Sequence, residues 1–333
     1  MSSFKPAWWL SNPHLQTLYP ALMRKPQPLP RVRERLRLRD GDWLYLDWRL
    51  PAHWVESDKP LVIVIHGLTG CSASQYVIGQ QVALDTMGWA SVAMNCRGAT
   101  GELNDTVRAY HAGAFDDVAD VVAAVAARYP QKNLAIVGFS LGGAITLNYL
   151  AREALPANLK AAVAVSVPLD LGACSDRLDQ GFSRVYRRHL LTSLQQTWRR
   201  KSLHLEKVGQ AQTARFIRQR LERGPYKSFR VFDNELIAGL HGFRDGDDYY
   251  ARCSPLQVLP DITLPTLLLQ AEDYPFLAPV CFPKPSQASA KLTIEITPKG
   301  GHVGFVEQGS SVREPGYYLE RRIPQFLEKA LLA

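Results

Sequence analysis

Ser140 sits at the centre of Gly138-Phe139-Ser140-Leu141-Gly142, a G-x-S-x-G pentapeptide. It follows the short apolar run 134–137 and leads into a helix-like segment, 143–154. The spacing has a mechanical reason. A strand that turns sharply into a helix holds the middle residue in a strained backbone conformation, and small residues two positions away on either side let the crossing chains pass. The hydroxyl then stands above the sheet edge with a helix N-terminus beneath it. From there the N–H of Leu141 can point at an oxyanion forming on an attacked carbonyl. The chemistry on offer is nucleophilic acyl transfer. The competing reading is a glycine-rich turn around a buried serine, and the strand before and helix after favour the nucleophile.

A serine hydroxyl is a poor nucleophile at neutral pH and needs a base, itself oriented by a third group. Behind such an elbow the chain order is nucleophile, acid, histidine. Of eight histidines, only His302 follows an acid-bearing strand end. It lies in Lys299-Gly300-Gly301-His302, a glycine-rich loop after an apolar strand. The acid belongs to the turn after the preceding strand, Ala271-Glu272-Asp273-Tyr274-Pro275. Asp273 is the candidate because Pro275 favours a tight turn that aims it outward; Glu272 competes, and Asp170 after the previous strand is the fallback. The second oxyanion donor should come from the loop after the first parallel strand, His66-Gly67-Leu68, with the Leu68 N–H in position. His66 precedes the nucleophile and reads as a structural loop residue.

These groups need a frame. Residues 31–50 alternate in two runs around Asp40-Gly41, a β-hairpin signature. Apolar runs at 61–65, 90–95, 134–137, 161–167, 266–270 and 291–297 read as buried strands, and helix-like spans at 75–87, 116–129 and 143–154 separate the earlier ones. This rhythm predicts an α/β protein with a mostly parallel sheet covered on both faces, whose chemistry collects at the carboxyl ends of the strands. The rhythm breaks at Pro168 and returns at Pro265. The expected division is therefore a core of 1–167 and 263–333 with a helical cap over 168–262. Residues 1–30, with Trp8, Trp9 and several prolines, read as an irregular arm packed on the core, and a final helix is expected from about 315 to 332.

Basicity is concentrated in the cap. The whole chain carries a formal +8, but residues 171–230 alone hold 14 Lys/Arg against 4 Asp/Glu, a net of +10. That points to a local anionic partner or to a solvated, arginine-rich helical face. The five scattered cysteines form no C-x-x-C, so neither a disulfide framework nor a zinc site is implied and a reducing, cytoplasmic setting is expected. The N-terminus lacks the pattern of a signal peptide, and no apolar run reaches the ~18 residues of a membrane span. Phosphate-loop and dinucleotide fingerprints are absent as well, so no cofactor is expected. Asp245-Gly246-Asp247-Asp248 reads as an acidic turn, and no metal site is expected.

Beyond the elbow, the chain carries Asn12-Pro13-His14-Leu15-Gln16-Thr17-Leu18, HGLTGCSASQY from His66, NCRGATG from Asn95, Tyr110-His111-Ala112-Gly113, Gly181-Phe182-Ser183-Arg184-Val185-Tyr186 and Gly300-Gly301-His302-Val303-Gly304-Phe305. In these segments it resembles the YheT/ABHD1–ABHD3 family of the α/β-hydrolase superfamily (the AB hydrolase 4 group), over nearly its whole length. The resemblance implies an α/β-hydrolase fold, a Ser140, Asp273, His302 triad, and hydrolysis of carboxylic esters, in some members acylglycerols or phospholipids. One departure stands out: where the family has Asp-Asp-Pro-Phe, this chain has Asp273-Tyr274-Pro275-Phe276. The leading expectation is a serine hydrolase for short- to medium-chain acyl esters or acylglycerol-type lipids, whose basic cap meets an anionic membrane surface. A thioesterase or acyltransferase on the same triad is the alternative within acyl chemistry. A non-catalytic interaction module is the alternative outside it; nucleic acid is not expected as its partner, because the basic residues come without an aromatic stacking platform.

Overall fold

The computed structural model describes residues 4–25, 27–312 and 314–331. The alternating runs pair as the expected hairpin: β1 (Val32–Arg37) lies antiparallel to β2 (Trp43–Arg49). β2 pairs antiparallel with β4 (Ala90–Asn95), and from there the sheet is parallel. It continues through β3 (Leu61–Ile65), β5 (Leu134–Phe139), β6 (Leu159–Val165), β7 (Thr266–Ala271) and β8 (Leu292–Thr297). The eight strands run in the order β1-β2-β4-β3-β5-β6-β7-β8. This is the α/β-hydrolase fold that the strand–helix rhythm and the family resemblance imply. Its centre is β3 and β5, whose every residue is fully buried, as a strand covered on both faces must be.

Helix α2 (Gln75–Thr86) packs with the C-terminal helix, while α3 (Phe115–Arg128) packs with α4 (Leu141–Arg152). Between β6 and β7 the chain leaves the sheet as a helical segment. It comprises α5 (Leu171–Leu178), the 25-residue α6 (Ser183–Lys207), α7 (Ala211–Leu221), α8 (Phe229–Phe232), a π-helical turn (Asp233–Ala238), α9 (Gly239–His241) and α10 (Gly246–Cys253). Asp245 caps α10, its Oδ1 accepting from Asp248 N at 2.7 Å, so the acidic cluster is a helix cap.

Two expectations need correcting. The N-terminal arm is not irregular: Asn12 caps a helix, α1 (Pro13–Met23), accepting from the amides of His14 and Leu15. Its apolar content is only partly core: Phe4 and Leu10 are buried, with Trp9, Leu18 and Tyr19 packed against the core, while Trp8 is 76% and Leu22 75% exposed. At the other end, β9 (Val306–Ser311) pairs antiparallel with β10 (Glu314–Tyr317) before α11 (Tyr318–Leu331). The Gly-Pro-rich stretch hid that pairing, and Leu332, the expected end of the helix, lies outside the described residues.

Candidate active site

Ser140 occupies the turn between β5 and α4 with φ +52° and ψ −119°. An L-residue there costs on the order of 1–3 kcal/mol and persists only where its surroundings enforce it. They do so through missing side chains. A Cβ on Gly138 would lie 2.5 Å from Gly142 O, and one on Gly142 would lie 2.6 Å from Ile65 O at the end of β3. One on Gly67 would lie 2.9 Å from Ser140 Cβ. The first two are the outer glycines of the pentapeptide. The third is the close approach of the β3 loop to the serine, legible in the sequence only as part of His66-Gly67-Leu68.

Beside Ser140, the amides of Gly67 and Thr69 each donate to a phenol, Tyr76 and Tyr110, at 2.9 Å. Between them the Leu68 N–H takes no acceptor among the described residues, and neither does the Leu141 N–H at the start of α4. Both leucines line the same cavity as Ser140. His66 is fully committed to the loop: its Nδ1 meets Gly67 O at 2.7 Å and its Nε2 accepts from Cys96 N at 3.1 Å. Burial pulls its pKa down to about 4, so it is a neutral structural histidine.

Asp273 and His302 stand on adjacent loops beyond β7 and β8. Oδ1 of Asp273 accepts from Gly301 N, one residue before the histidine, at 2.9 Å. The competing acids are otherwise placed: Glu272 is exposed, and Asp170 caps α5 by accepting from Ala173 N. His302 faces the cavity that holds Ser140. Its ring stacks on Tyr274 at 4.6 Å and 10° and leans on Phe276 at 4.6 Å and 38°. The position where this chain departs from the family pattern is therefore the platform under the imidazole. Desolvation pulls the His302 pKa down to about 3, while it pushes that of Asp273 up. The Tyr274 phenol is driven far above its ordinary range by burial, partly offset by the Ser140 hydroxyl beside it. Nδ1 of His302 and Oδ2 of Asp273 are both buried without a partner. Among the described residues no hydrogen bond joins His302 to Ser140 or to Asp273.

The histidine loop is strained and heavily braced. Gly300, Gly301, Val303 and Phe305 all have positive φ. Besides Gly301 N, its amides find side-chain acceptors on separate elements. His302 N donates to Thr17 Oγ1 at 2.9 Å, Val303 N to Ser166 Oγ at 3.1 Å, and Val306 N to Gln16 Oε1 at 2.7 Å. A Cβ on Gly301 would lie 2.6 Å from Pro13 O, and one on Gly304 would strike Gln16 O. The two sequence segments at opposite ends of the chain, 12–18 and 300–305, are thus one packed unit. Sequence reasoning missed the positioning role of Gln16 and Thr17; their only signal was the specificity of the motif that holds them. His14 extends the unit to the helical segment, its Nδ1 lying 3.1 Å from the Tyr186 hydroxyl on α6.

The cavity measures about 690 Å³ and is bounded by α1, the loops after β3 and β5, helices α5, α6, α8 and α10, and the π-helical turn. That volume falls within the range of a small-molecule site. Among the described residues no cluster of His, Cys, Asp and Glu could hold a metal ion, and no helix is long and apolar enough to cross a membrane.

Comparison with known proteins follows the same outline. Residues 60–308 match the family model described as alpha/beta hydrolase fold. YheT of Escherichia coli (strain K12), which carries an esterase name, is 36% identical over 100% of this chain and 95% of its own length. Phospholipase ABHD3 of Mus musculus is 29% identical over 98% of this chain and 78% of its own. Among solved structures, the Pyrococcus furiosus esterase Pf2001 superposes with a TM-score of 0.56 at 17% identity, over 98% of this chain and 99% of that one; this similarity shows the fold.

Proposed function

We propose that this chain, which belongs to the alpha/beta hydrolase fold family and within it to the group of YheT and ABHD3, is a carboxylic ester hydrolase acting through Ser140, His302 and Asp273. The esterase and phospholipase names of its relatives support the reaction class. The observation that carries the residue assignment is the strained Ser140 elbow opening on the same cavity as His302, whose loop is tied to Asp273 one residue away.

In the reaction, Ser140 Oγ adds to the ester carbonyl carbon as His302 Nε2 takes its proton. The carbonyl oxygen becomes an oxyanion held by the Leu68 and Leu141 amides, worth ~3–4 kcal/mol per donor. Collapse breaks the ester C–O bond, and the leaving alkoxide takes the proton from His302. Water, deprotonated by His302, then adds to the acyl-enzyme, and collapse releases the acid and restores Ser140. The Asp273 carboxylate holds the imidazole through Nδ1–H and stabilises its charged form. In the resting state the imidazole lies on Tyr274, and the open Nδ1 of His302 and Oδ2 of Asp273 close on each other when substrate displaces it.

The helical segment 168–262 acts as a lid that shapes the acyl pocket, and the substrates are short- to medium-chain acyl esters or acylglycerol-type lipids. A chain-length series of nitrophenyl esters on wild type and Ser140→Ala tests this reading: the variant should lose at least ~10³-fold in kcat, and a variant as active as wild type removes Ser140 from the mechanism. The mouth of the cavity favours contact with a membrane surface. Leu22 on α1 and Val185 on α6 are 75% and 54% exposed there, and Phe182 with the basic Arg184 and Arg188 lie alongside. Binding to anionic liposomes well above that to neutral ones supports this contact, and equal binding removes it.

A further inference from the structure

The cavity is not uniformly apolar. At its mouth Leu22, Val185 and Arg200 are exposed. Its inner end is built from Leu171, Cys174, Leu178, Phe229, Phe232 and Ile237, all buried. An acyl chain gains roughly 0.8 kcal/mol per methylene on entering such a wall, so it runs inward while the alcohol moiety faces the mouth. Yet three polar side chains from three separate elements break this inner wall. They are Ser175 on α5, Asp233 at the start of the π-helical turn, and Tyr250 on α10, and all three line the cavity.

Asp233 is 9%, Tyr250 6% and Ser175 4% exposed. The Tyr250 hydroxyl donates to Asp233 Oδ2 at 2.7 Å. Oδ1 of Asp233 takes no hydrogen bond among the described residues, and Ser175 Oγ, buried near the Tyr250 phenol, makes none of good geometry. A buried polar group left unsatisfied is rare and costly, and Ser175 Oγ together with the open carboxyl oxygen of Asp233 on one wall of a cavity indicates a ligand that completes them. The π-helical turn points the same way, since such turns collect at functional sites.

Resting on the hydrolase reading above, we propose that Asp233, Tyr250 and Ser175 form a subsite for a hydroxyl group carried part-way along the acyl chain of the substrate. A hydroxyl both donates and accepts, which matches a carboxyl that burial has pushed up to about 7 and that therefore presents either face near neutral pH. A cationic group fits less well. A cation would meet a carboxyl that burial raises to about 7 and so leaves partly protonated near neutral pH, beside a Tyr250 phenol that already donates to it.

The test uses nitrophenyl esters in matched pairs, with a plain acyl chain against the same chain carrying one hydroxyl at successive positions. They are assayed on wild type, Asp233→Leu, Asp233→Asn and Tyr250→Phe. Wild type should prefer the hydroxylated partner by about tenfold or more in kcat/KM at one position, and Asp233→Leu should reverse that preference. The ratio is taken within each variant, so a loss of folded protein cancels. Preference for the plain chain at every position in wild type, or an unchanged ratio in Asp233→Leu, overturns the subsite. Calorimetric binding of the same pairs to Ser140→Ala separates this failure from failure of the catalytic reading. Tighter binding of the hydroxylated ester upholds the subsite whatever residue does the chemistry, and equal binding removes it even if Ser140 is the nucleophile.

Discussion

Thr17→Val removes one oxygen from a helix some three hundred residues away in sequence from the imidazole, and it should slow the reaction. Valine keeps the β-branched shape and its helical rotamer. Thr17 Oγ1 accepts from His302 N at 2.9 Å and donates to Pro13 O at 2.8 Å. Pro13 O keeps its helical partner, so the real loss falls on the half-buried His302 amide, left unsatisfied at about 1–3 kcal/mol. The loop answers by moving or by opening to water. A shift of about 1 Å at a catalytic group can cost ~100-fold in rate, and the neighbouring anchors at Gly301, Val303 and Val306 limit the shift, so kcat should fall ~10- to 100-fold. KM should change little, because valine keeps the shape of the cavity wall that Thr17 lines and the lost hydroxyl acts on the base. Thr17→Ser keeps the acceptor and loses only a methyl, about 1 kcal/mol of stability. The assay is kcat and KM on a nitrophenyl ester, alongside urea unfolding of all three proteins. Unchanged kcat in Thr17→Val would refute the brace, and so would Thr17→Ser falling as far as Thr17→Val, since that would trace the effect to packing.

Three further outcomes follow from the same geometry. Gly142→Ala places a Cβ 2.6 Å from Ile65 O with only backbone to yield, so it should cost ~3 kcal/mol or more; Gly88→Ala, at φ +72° with nothing within 4 Å, should cost only the ~1–2 kcal/mol of its left-handed backbone, and equal losses by chemical denaturation would contradict the elbow's steric origin. Arg97→Met strands the buried carboxylate of Asp117, paired with Arg97 at 2.6 Å, and takes one of several partners from Asp42; urea titration should show a loss of about 3–5 kcal/mol, and a neutral result would mean the cluster is solvated. Acidification should also destabilise the fold. Burial holds His66 and His241 near 4 and His302 near 3, so below about 6.5 the unfolded chain binds protons that the folded one refuses, and stability drops as pH falls. Asp233, raised to about 7, works in the opposite sense over the same window but is outnumbered. Unfolding free energy should fall on the order of 2 kcal/mol from pH 7.5 to 5.5, and a flat or rising profile would show that these imidazoles are solvated.

The sequence exposes what depends on local pattern. Leu61–Ile65 and Ala90–Asn95 are strands with the bounds their apolar runs predict, because a strand buried on both faces leaves a short, continuous apolar run bounded by polar or turn residues. The elbow was legible for a related reason: its glycines answer to contacts within a few residues or with the neighbouring strand end. What stayed hidden depends on long-range packing. Nothing near Gln16 or Thr17 announces a partner at residues 302 and 306, and proline at positions 13 and 20 disguised α1 as irregular chain, although Pro13 sits in the first turn, where a helix tolerates it. Asp233 was equally silent, since a lone acid among apolar residues shows its partners only once α5, the π-helical turn and α10 converge.

The central claim is that a serine hydroxyl on a strained turn attacks an ester and carries the acyl group. Incubating the protein with a fluorophosphonate and mapping the adduct by mass spectrometry tests it directly. The account predicts one phosphonylated residue, Ser140, with esterase activity lost in proportion to labelling and no adduct in Ser140→Ala. An adduct on another residue that abolishes activity, or full activity in protein fully labelled at Ser140, would contradict it.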